Sequence, residues 1–258
     1  MIFKEDFYNT PADKKRCIWD KMALNSRLFF HMQFFYIMYK ANNVARHGKF
    51  NDDEYCKISD NTFRLLENCG AKLHIKGLEH VRNLKEPVVF IGNHMSVLET
   101  FILPGLIIPH KAVSFVVKES LIKHPLFGQI MKATNPISVT RTDPKKDFKS
   151  VMTTGQQLIK DGRHIIVFPQ STRGKFIPEE FSSIGEKLAK KANVSIVPIA
   201  LKTDFWGIGS VLKDFGKIHR DREIFFEFGK PLSSDMEKKA LHSEIVNFIE
   251  TKTKEWGL

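Results

Sequence analysis

The feature that most constrains this chain is a set of short, uninterrupted apolar runs separated by stretches of helical spacing. The clearest is Val88-Val89-Phe90-Ile91, directly after Pro87. Val113–Val117, Ile137–Val139, His164–Phe168, Ser195–Leu201 and Glu223–Phe228 are runs of the same kind. A strand with one wet face alternates polar and apolar residues, whereas a continuous β-branched and aromatic run belongs to a strand covered on both faces. Between several of the runs lie helical patterns, at Ser96–Leu106, His124–Ala133, Asp147–Lys160, Ile184–Lys191 and Asp235–Lys254. The alternation predicts an α/β fold, a mostly parallel central sheet flanked by helices. At 258 residues and 42% hydrophobic composition the chain can bury a sizeable core. Upstream of the first run, Tyr55–Asn68 reads as a helix ending at Gly70, Lys72–Gly77 as a short strand and Gly77–His80 as a turn.

The N-terminal part differs in character. Lys14–His47 contains no proline and reads as helix, with Leu24, Leu28, Phe29, Met32, Phe35, Tyr36 and Tyr39 recurring at three- and four-residue steps. Lys14, Lys15, Arg16, Lys21, Arg27, Lys40 and Arg46 flank this apolar stripe. The residues alone leave two readings open: an amphipathic helix lying in a membrane interface, or a helix packed on the domain. The polar stretch Gly48–Glu54 then divides an N-terminal helical segment, residues 1–50, from an α/β domain, residues 51–258. No stretch reaches the roughly 18 apolar residues of a membrane-spanning helix; the nearest, Leu28–Tyr39, is interrupted by His31 and Gln33. Met1–Asp20 is polar and lacks the apolar core of a secretory signal, so none is expected.

Lysine and arginine number 40 against 29 acidic residues, a formal net charge of +11. Such a surface suits a polyanion: nucleic acid, anionic lipid, or a phosphorylated or acidic substrate carrier. A solvated basic surface with no dedicated partner fits the count equally well. There is no arginine-rich run, zinc-finger spacing or aromatic RNA-binding strand motif, and nucleic acid is not expected as a partner. Cys17, Cys56 and Cys69 form no paired ligand spacing, which argues against a disulfide scaffold or a structural metal site.

Chemistry-bearing residues gather where the buried strands end, the edge at which open α/β sheets bind ligands. Gly92-Asn93-His94-Met95-Ser96-Val97-Leu98-Glu99 follows the first run. A histidine there is able to act as a general base near neutral pH, and Glu99, five residues on, is placed to reach back and fix its tautomer. The alternative is that His94 only caps the helix and Glu99 is a surface residue. Phe168-Pro169-Gln170-Ser171-Thr172-Arg173-Gly174 follows another strand and offers hydroxyls and a guanidinium suited to phosphate. The segment Lys118–Arg141 ends on a further strand-end arginine.

Taken in order, Asn93-His94…Glu99, Lys118…Pro125-Leu126-Phe127-Gly128…Arg141, Phe168…Arg173 and Ile196-Val197-Pro198-Ile199 resemble the four motif blocks of the glycerolipid acyltransferases that act on 1-acylglycerol-3-phosphate. The resemblance covers roughly Leu73–Phe228. It implies an acyltransferase that moves a fatty acyl group from acyl-CoA or acyl-carrier protein to the hydroxyl of a lysophospholipid, without a metal or other cofactor. It implies His94 as the base and Glu99 as its orienting partner, with Lys118, Arg141, Ser171, Thr172 and Arg173 binding substrate. Glu99 stands where the family has aspartate, and Gln170-Ser171 where it has Glu-Gly. The resemblance favours the interfacial reading of residues 1–50, and with it a peripheral, monotopic protein on the cytoplasmic face of a membrane bearing anionic lipid. A thioester hydrolase and a catalytically inactive lipid-binding protein are the alternatives.

Overall fold

The computed structural model describes residues 3, 5–24, 26–125, 127–170, 172–210 and 212–258. The buried runs form one sheet. Its strands are β1 (Phe7–Asn9), β2 (Leu73–Lys76), β3 (Val89–Gly92), β4 (Val113–Lys118), β5 (Ile137–Val139), β6 (His164–Val167), β7 (Ile196–Lys202) and β8 (Ile224–Phe228). Across the sheet they run β1-β2-β8-β7-β3-β6-β4-β5. The pairs β7–β3, β3–β6, β6–β4 and β4–β5 are all parallel, with Ile91 opposite Val167 and Lys118 opposite Val139. The β1–β2 and β7–β8 pairs are antiparallel. The carboxyl ends of β3, β6, β4 and β5 therefore share one edge.

Both faces of the sheet are covered, as the uninterrupted runs require. Along β3, Phe90 joins a core built with α3 (Asp52–Asn68) and α5 (Leu98–Ile107), while Val89 and Ile91 join a second core built with α8 (Pro144–Lys160), α9 (Ile184–Ala192) and α10 (Lys238–Glu255). The connections between strands also hold α4 (Glu79–Arg82), where a turn was expected, and α6 (Glu119–Ile122) and α7 (Gly128–Ala133). The helix α3 begins at its cap Asn51, whose side chain accepts from Glu54 N at 2.9 Å.

The N-terminal helix is broken, not continuous. It forms α1 (Ile18–Met22) and α2 (Arg27–Arg46), separated by a turn in which Leu24 takes a left-handed φ of 53°. Arg220 holds the turn by bonding Asp20 Oδ1 at 2.6 Å and the Ser26 carbonyl at 3.2 Å. One face of α2, Phe30, Phe34 and Met38, is fully enclosed in the first core. Phe30 and Phe34 meet the Trp206 ring edge-on at 4.8 and 4.7 Å, and Phe34 meets Phe101 at 4.8 Å. Each such pair adds about 1 kcal/mol beyond area burial. The stripe read from the sequence is the opposite face: Leu28, Met32, Tyr36 and Tyr39 are all more than half exposed. The described part of residues 1–50 thus shares the sheet, through β1, and the core with the rest of the chain.

His164, at the start of β6, is fully buried. Its Nδ1 accepts the Val88 backbone N–H at 3.0 Å. Burial, aided by Lys111 and His110, pushes its pKa from 6.5 down to about 4. The unfolded chain takes up this proton below pH 6.5 and the folded chain only near pH 4. The contribution is complete above pH 6.5 and is lost as pH falls to the folded value, about 3 kcal/mol in all. Urea unfolding at pH 7 and pH 4.5 should show His164→Asn removing roughly 2–3 kcal/mol of the parent's pH dependence; an unaltered dependence would show that this ring is already charged in the fold.

Candidate active site

Gly92 closes β3 where that strand crowds β7: a Cβ there would stand 3.0 Å from the Ile199 carbonyl oxygen. The next residue, Asn93, is locked across the same gap. Its amide donates to the Leu201 carbonyl at 2.8 Å and its carbonyl accepts from Leu201 N at 2.8 Å. His94 therefore leaves the sheet at a fixed angle. Its backbone N–H donates to Gln170 Oε1 at 2.7 Å, its carbonyl accepts from Gly174 N at 2.9 Å, and its ring stacks on Phe168 at 4.5 Å and 5°. The β3 and β6 ends are thereby joined.

His94 Nδ1 lies 2.8 Å from Glu99 Oε1. Glu99 is fully buried, which excludes the surface reading. The helix α5 starts at Leu98, two residues later than the Ser96–Leu106 pattern predicts, so Glu99 sits in its first turn. The reason is local competition. Met95 N and Ser96 N donate to Glu99 Oε1 at 2.8 and 3.0 Å, and Leu98 N donates to Ser96 Oγ at 3.1 Å, so these amides turn toward side chains. From the end of β7, the Thr203 hydroxyl donates to Oε2 at 2.6 Å, and Ser96 Oγ lies 3.1 Å from the same oxygen. Burial alone would raise the Glu99 pKa. The bond and charge of His94, then Thr203 and the backbone, outweigh it and hold the pKa below the ordinary carboxylate value. The group is ionised, accepts only, and so requires the proton on His94 Nδ1, leaving Nε2 as the basic nitrogen.

His94 lines a cavity of about 470 Å³. Its inner wall is apolar, with Val97, Phe101, Phe115, Phe127, Ile130 and Met131. Its other lining side chains include Lys118, Arg141, Thr172, Arg173, Lys213 and Asp214. The parallel strands explain the convergence, since Lys118 ends β4, Arg141 follows β5, and Thr172 and Arg173 follow β6. All the candidate substrate-binding residues among the described residues thus face one cleft with His94. Ser171 lies outside the described residues. Arg173 Nη1 is 2.6 Å from Asp214 Oδ1. Among the described residues no group of three or more His, Cys, Asp or Glu side chains is arranged to hold a metal ion, and no helix is long and apolar enough to cross a membrane.

Several positioning groups escape a reading of the sequence. Arg141 takes a left-handed φ of 63°, a conformation unfavourable for a side chain of its kind. Asp147, one turn into α8, fixes it by accepting from Arg141 N at 2.6 Å and Thr140 N at 2.7 Å. Burial raises the Asp147 pKa, but the Thr140 and Arg141 bonds outweigh it and lower the value. Thr203 and Asp214 come from beyond the motif blocks, and only the folded chain brings them to the site. Gln170 stands out in the sequence as a departure from the family pattern, and here it takes a structural bond.

Residues 72–202, half of the chain, match the model of the family described as Acyltransferase. A curated 1-acyl-sn-glycerol-3-phosphate acyltransferase of Pseudomonas aeruginosa is 33% identical over 156 residues, 59% of this chain and 57% of that protein. The chloroplastic 1-acyl-sn-glycerol-3-phosphate acyltransferase of Arabidopsis thaliana is 29% identical over 131 residues, 50% of this chain and 36% of that protein. The chain spans about half the length of the curated relatives it matches. Among solved structures, the 1-acyl-sn-glycerophosphate acyltransferase PlsC from Thermotoga maritima superposes with a TM-score of 0.66 at 17% identity, covering 92% of this chain and 96% of that one, a likeness of fold.

If Thr203 helps hold the buried charge, Thr203→Val should destabilise the protein by about 2 kcal/mol in denaturant unfolding at neutral pH, the range for a bond to an ionised group. A change within experimental error would mean that Glu99 does not depend on it.

Proposed function

We propose, from the premise that this chain belongs to the acyltransferase family, that it transfers a fatty acyl group from a thioester donor, acyl-CoA or acyl-carrier protein, to the hydroxyl of a lysophospholipid such as 1-acylglycerol-3-phosphate. The observation that carries this reading is His94 held through Nδ1 by a buried, ionised Glu99 at 2.8 Å on the wall of a cleft that joins apolar and cationic linings.

The chemistry follows from the proton inventory. Nδ1–H is committed to Glu99, so Nε2 accepts the proton of the lipid hydroxyl. The hydroxyl oxygen attacks the thioester carbonyl carbon, an oxygen–carbon bond forms, and the carbon–sulfur bond breaks. The imidazolium, stabilised by the Glu99 carboxylate, returns its proton to the departing thiolate sulfur. No covalent acyl-enzyme and no metal is required. Arg141, Arg173 and Lys118 are suited to the acceptor phosphate, Thr172 adds a hydroxyl, and the apolar wall suits an acyl chain. Holding a mobile headgroup against the base supplies much of the acceleration.

The acceptor and product are lipids, and the outward face of α2 offers the contact with them. Ile18, Trp19 and Met22 on α1 and Leu28, Met32, Tyr36 and Tyr39 on α2 are more than half exposed, near Arg27, Lys40 and Arg46. In this reading both helices lie in the headgroup region of an anionic membrane surface, with no span across it. Removing residues 1–48 would strip Phe30, Phe34 and Met38 from the core, so surface substitutions test this contact better than truncation.

His94→Ala should reduce acyl transfer by about 10²–10⁴-fold in the protein that remains folded, at a stability cost of about 2 kcal/mol like that of Thr203→Val, and Glu99→Gln should likewise lower kcat by orders of magnitude. Parental activity in His94→Ala would rule out this ring as the base. Replacing Leu28, Met32, Tyr36 and Tyr39 together with glutamine should cut co-sedimentation with anionic vesicles about tenfold or more, leaving the folded core intact; unchanged binding would place the membrane contact elsewhere.

A further inference from the structure

Arg173 does not enter the cleft as a bare cation. Its Nη1 lies 2.6 Å from Asp214 Oδ1, and both side chains are largely shielded, 19% and 30% exposed. Asp214 is the carboxylate of a loop, residues 207–210 and 212–217, that lines the cavity together with Ile208 and Lys213. The loop is tightly tied. Gly207 N donates to the Lys217 carbonyl at 2.9 Å, Gly209 N to the Lys213 carbonyl at 3.0 Å, and Trp206 Nε1 to the Asp214 carbonyl at 3.0 Å. Gly207 and Gly216 pass so closely that a Cβ on Gly216 would overlap the Gly207 oxygen. From outside, α2 fastens the loop: Arg27 donates to the Phe215 carbonyl at 3.0 Å, His31 Nε2 lies 3.0 Å from the Gly216 carbonyl, and Phe35 stacks on Phe215 at 4.8 Å. The carboxylate is therefore a fixed part of the cleft wall.

We infer that Asp214 sets the charge selectivity of the acceptor site by competing with the lipid headgroup for Arg173. This rests on the proposed placement of the acceptor phosphate at Arg173. A phosphodiester carries one negative charge, so its displacement of Asp214 exchanges one monoanion for another and strands a half-buried carboxylate. A phosphomonoester carries nearly two charges at neutral pH. It outcompetes one carboxylate, and its second charge meets Arg141, Lys118 and Lys213, which line the same cavity. The acidic residue makes an otherwise strongly cationic site selective for monoester headgroups, because specificity is built by penalising the wrong ligand as well as attracting the right one. Asp214 acts through Arg173 and is a positioning residue.

The test uses the full chain, one acyl-CoA donor, and two acceptors of equal acyl chain in the same mixed micelles: 1-acylglycerol-3-phosphate and the phosphodiester lysophosphatidylglycerol. The parent should favour the monoester. Asp214→Asn should lower KM for the diester about tenfold or more and change KM for the monoester much less, so the kcat/KM ratio falls by about the same factor. Asp214→Glu, which keeps the charge, should retain the parental ratio. An unaltered ratio in Asp214→Asn, equal losses on both acceptors, or the same shift in Asp214→Glu would overturn the inference. Arg173→Gln tests the underlying placement separately: if it raises KM for neither acceptor, or the parent acylates neither, the reading of Arg173 fails and the selectivity inference with it.

Discussion

The site depends on keeping one carboxylate ionised inside the protein. An isolated carboxylate without water is strongly disfavoured, and Glu99 is stable as an anion only because donors converge on it from three places. The strand-to-helix turn supplies Met95 N and Ser96 N, the end of β7 supplies Thr203, and His94 itself supplies Nδ1–H. Each donor depends on the sheet. Asn93 bonds Leu201 on β7, bringing Thr203 within reach, and Gln170 ties the His94 backbone to the end of β6. One oxygen of the Glu99 carboxylate meets the ring while the other meets Thr203. The ionised acceptor then dictates the tautomer of His94, and so which nitrogen faces chemistry.

Around that pair the fold segregates apolar from charged surface. Parallel strands β3, β6, β4 and β5 end at one edge, so residues distant in sequence bring an imidazole, an ammonium and two guanidinium groups to a single cleft whose inner wall is hydrocarbon. The helix α2 performs two tasks with opposite faces. Phe30, Phe34 and Met38 complete the core, and the face carrying Leu28, Met32 and Tyr39 is left to the outside. The loop bearing Asp214 lies between α2 and the cleft, joining the outward-facing helix to the cationic end of the site.

The strands and the His94–Glu99 relation were legible because each rests on a local pattern: uninterrupted runs that tolerate only two-sided burial, and a spacing that a strand-to-helix turn closes. The orientation of α2 was not. This helix is apolar on both sides, so periodicity picks out a stripe without saying whether core or outside receives it. The break between α1 and α2 is held by Arg220, and Arg141 by Asp147; the first of these partnerships is set by tertiary structure and leaves no signal in the flanking residues. The strand β1 has three residues, too few for alternation to register, and is recruited by pairing with β2. Asp147 is legible only in retrospect, as an acid one turn inside a helix whose preceding strand is followed by an arginine.

The central claim is that His94 takes a proton from a lipid alcohol and not from water. The most direct measurement follows a labelled acyl-thioester with purified protein, with and without 1-acylglycerol-3-phosphate, and identifies every labelled product. The account predicts label in the diacyl product, with thioester consumption dependent on the lysolipid. Label appearing as free fatty acid at the same rate in its absence would contradict it.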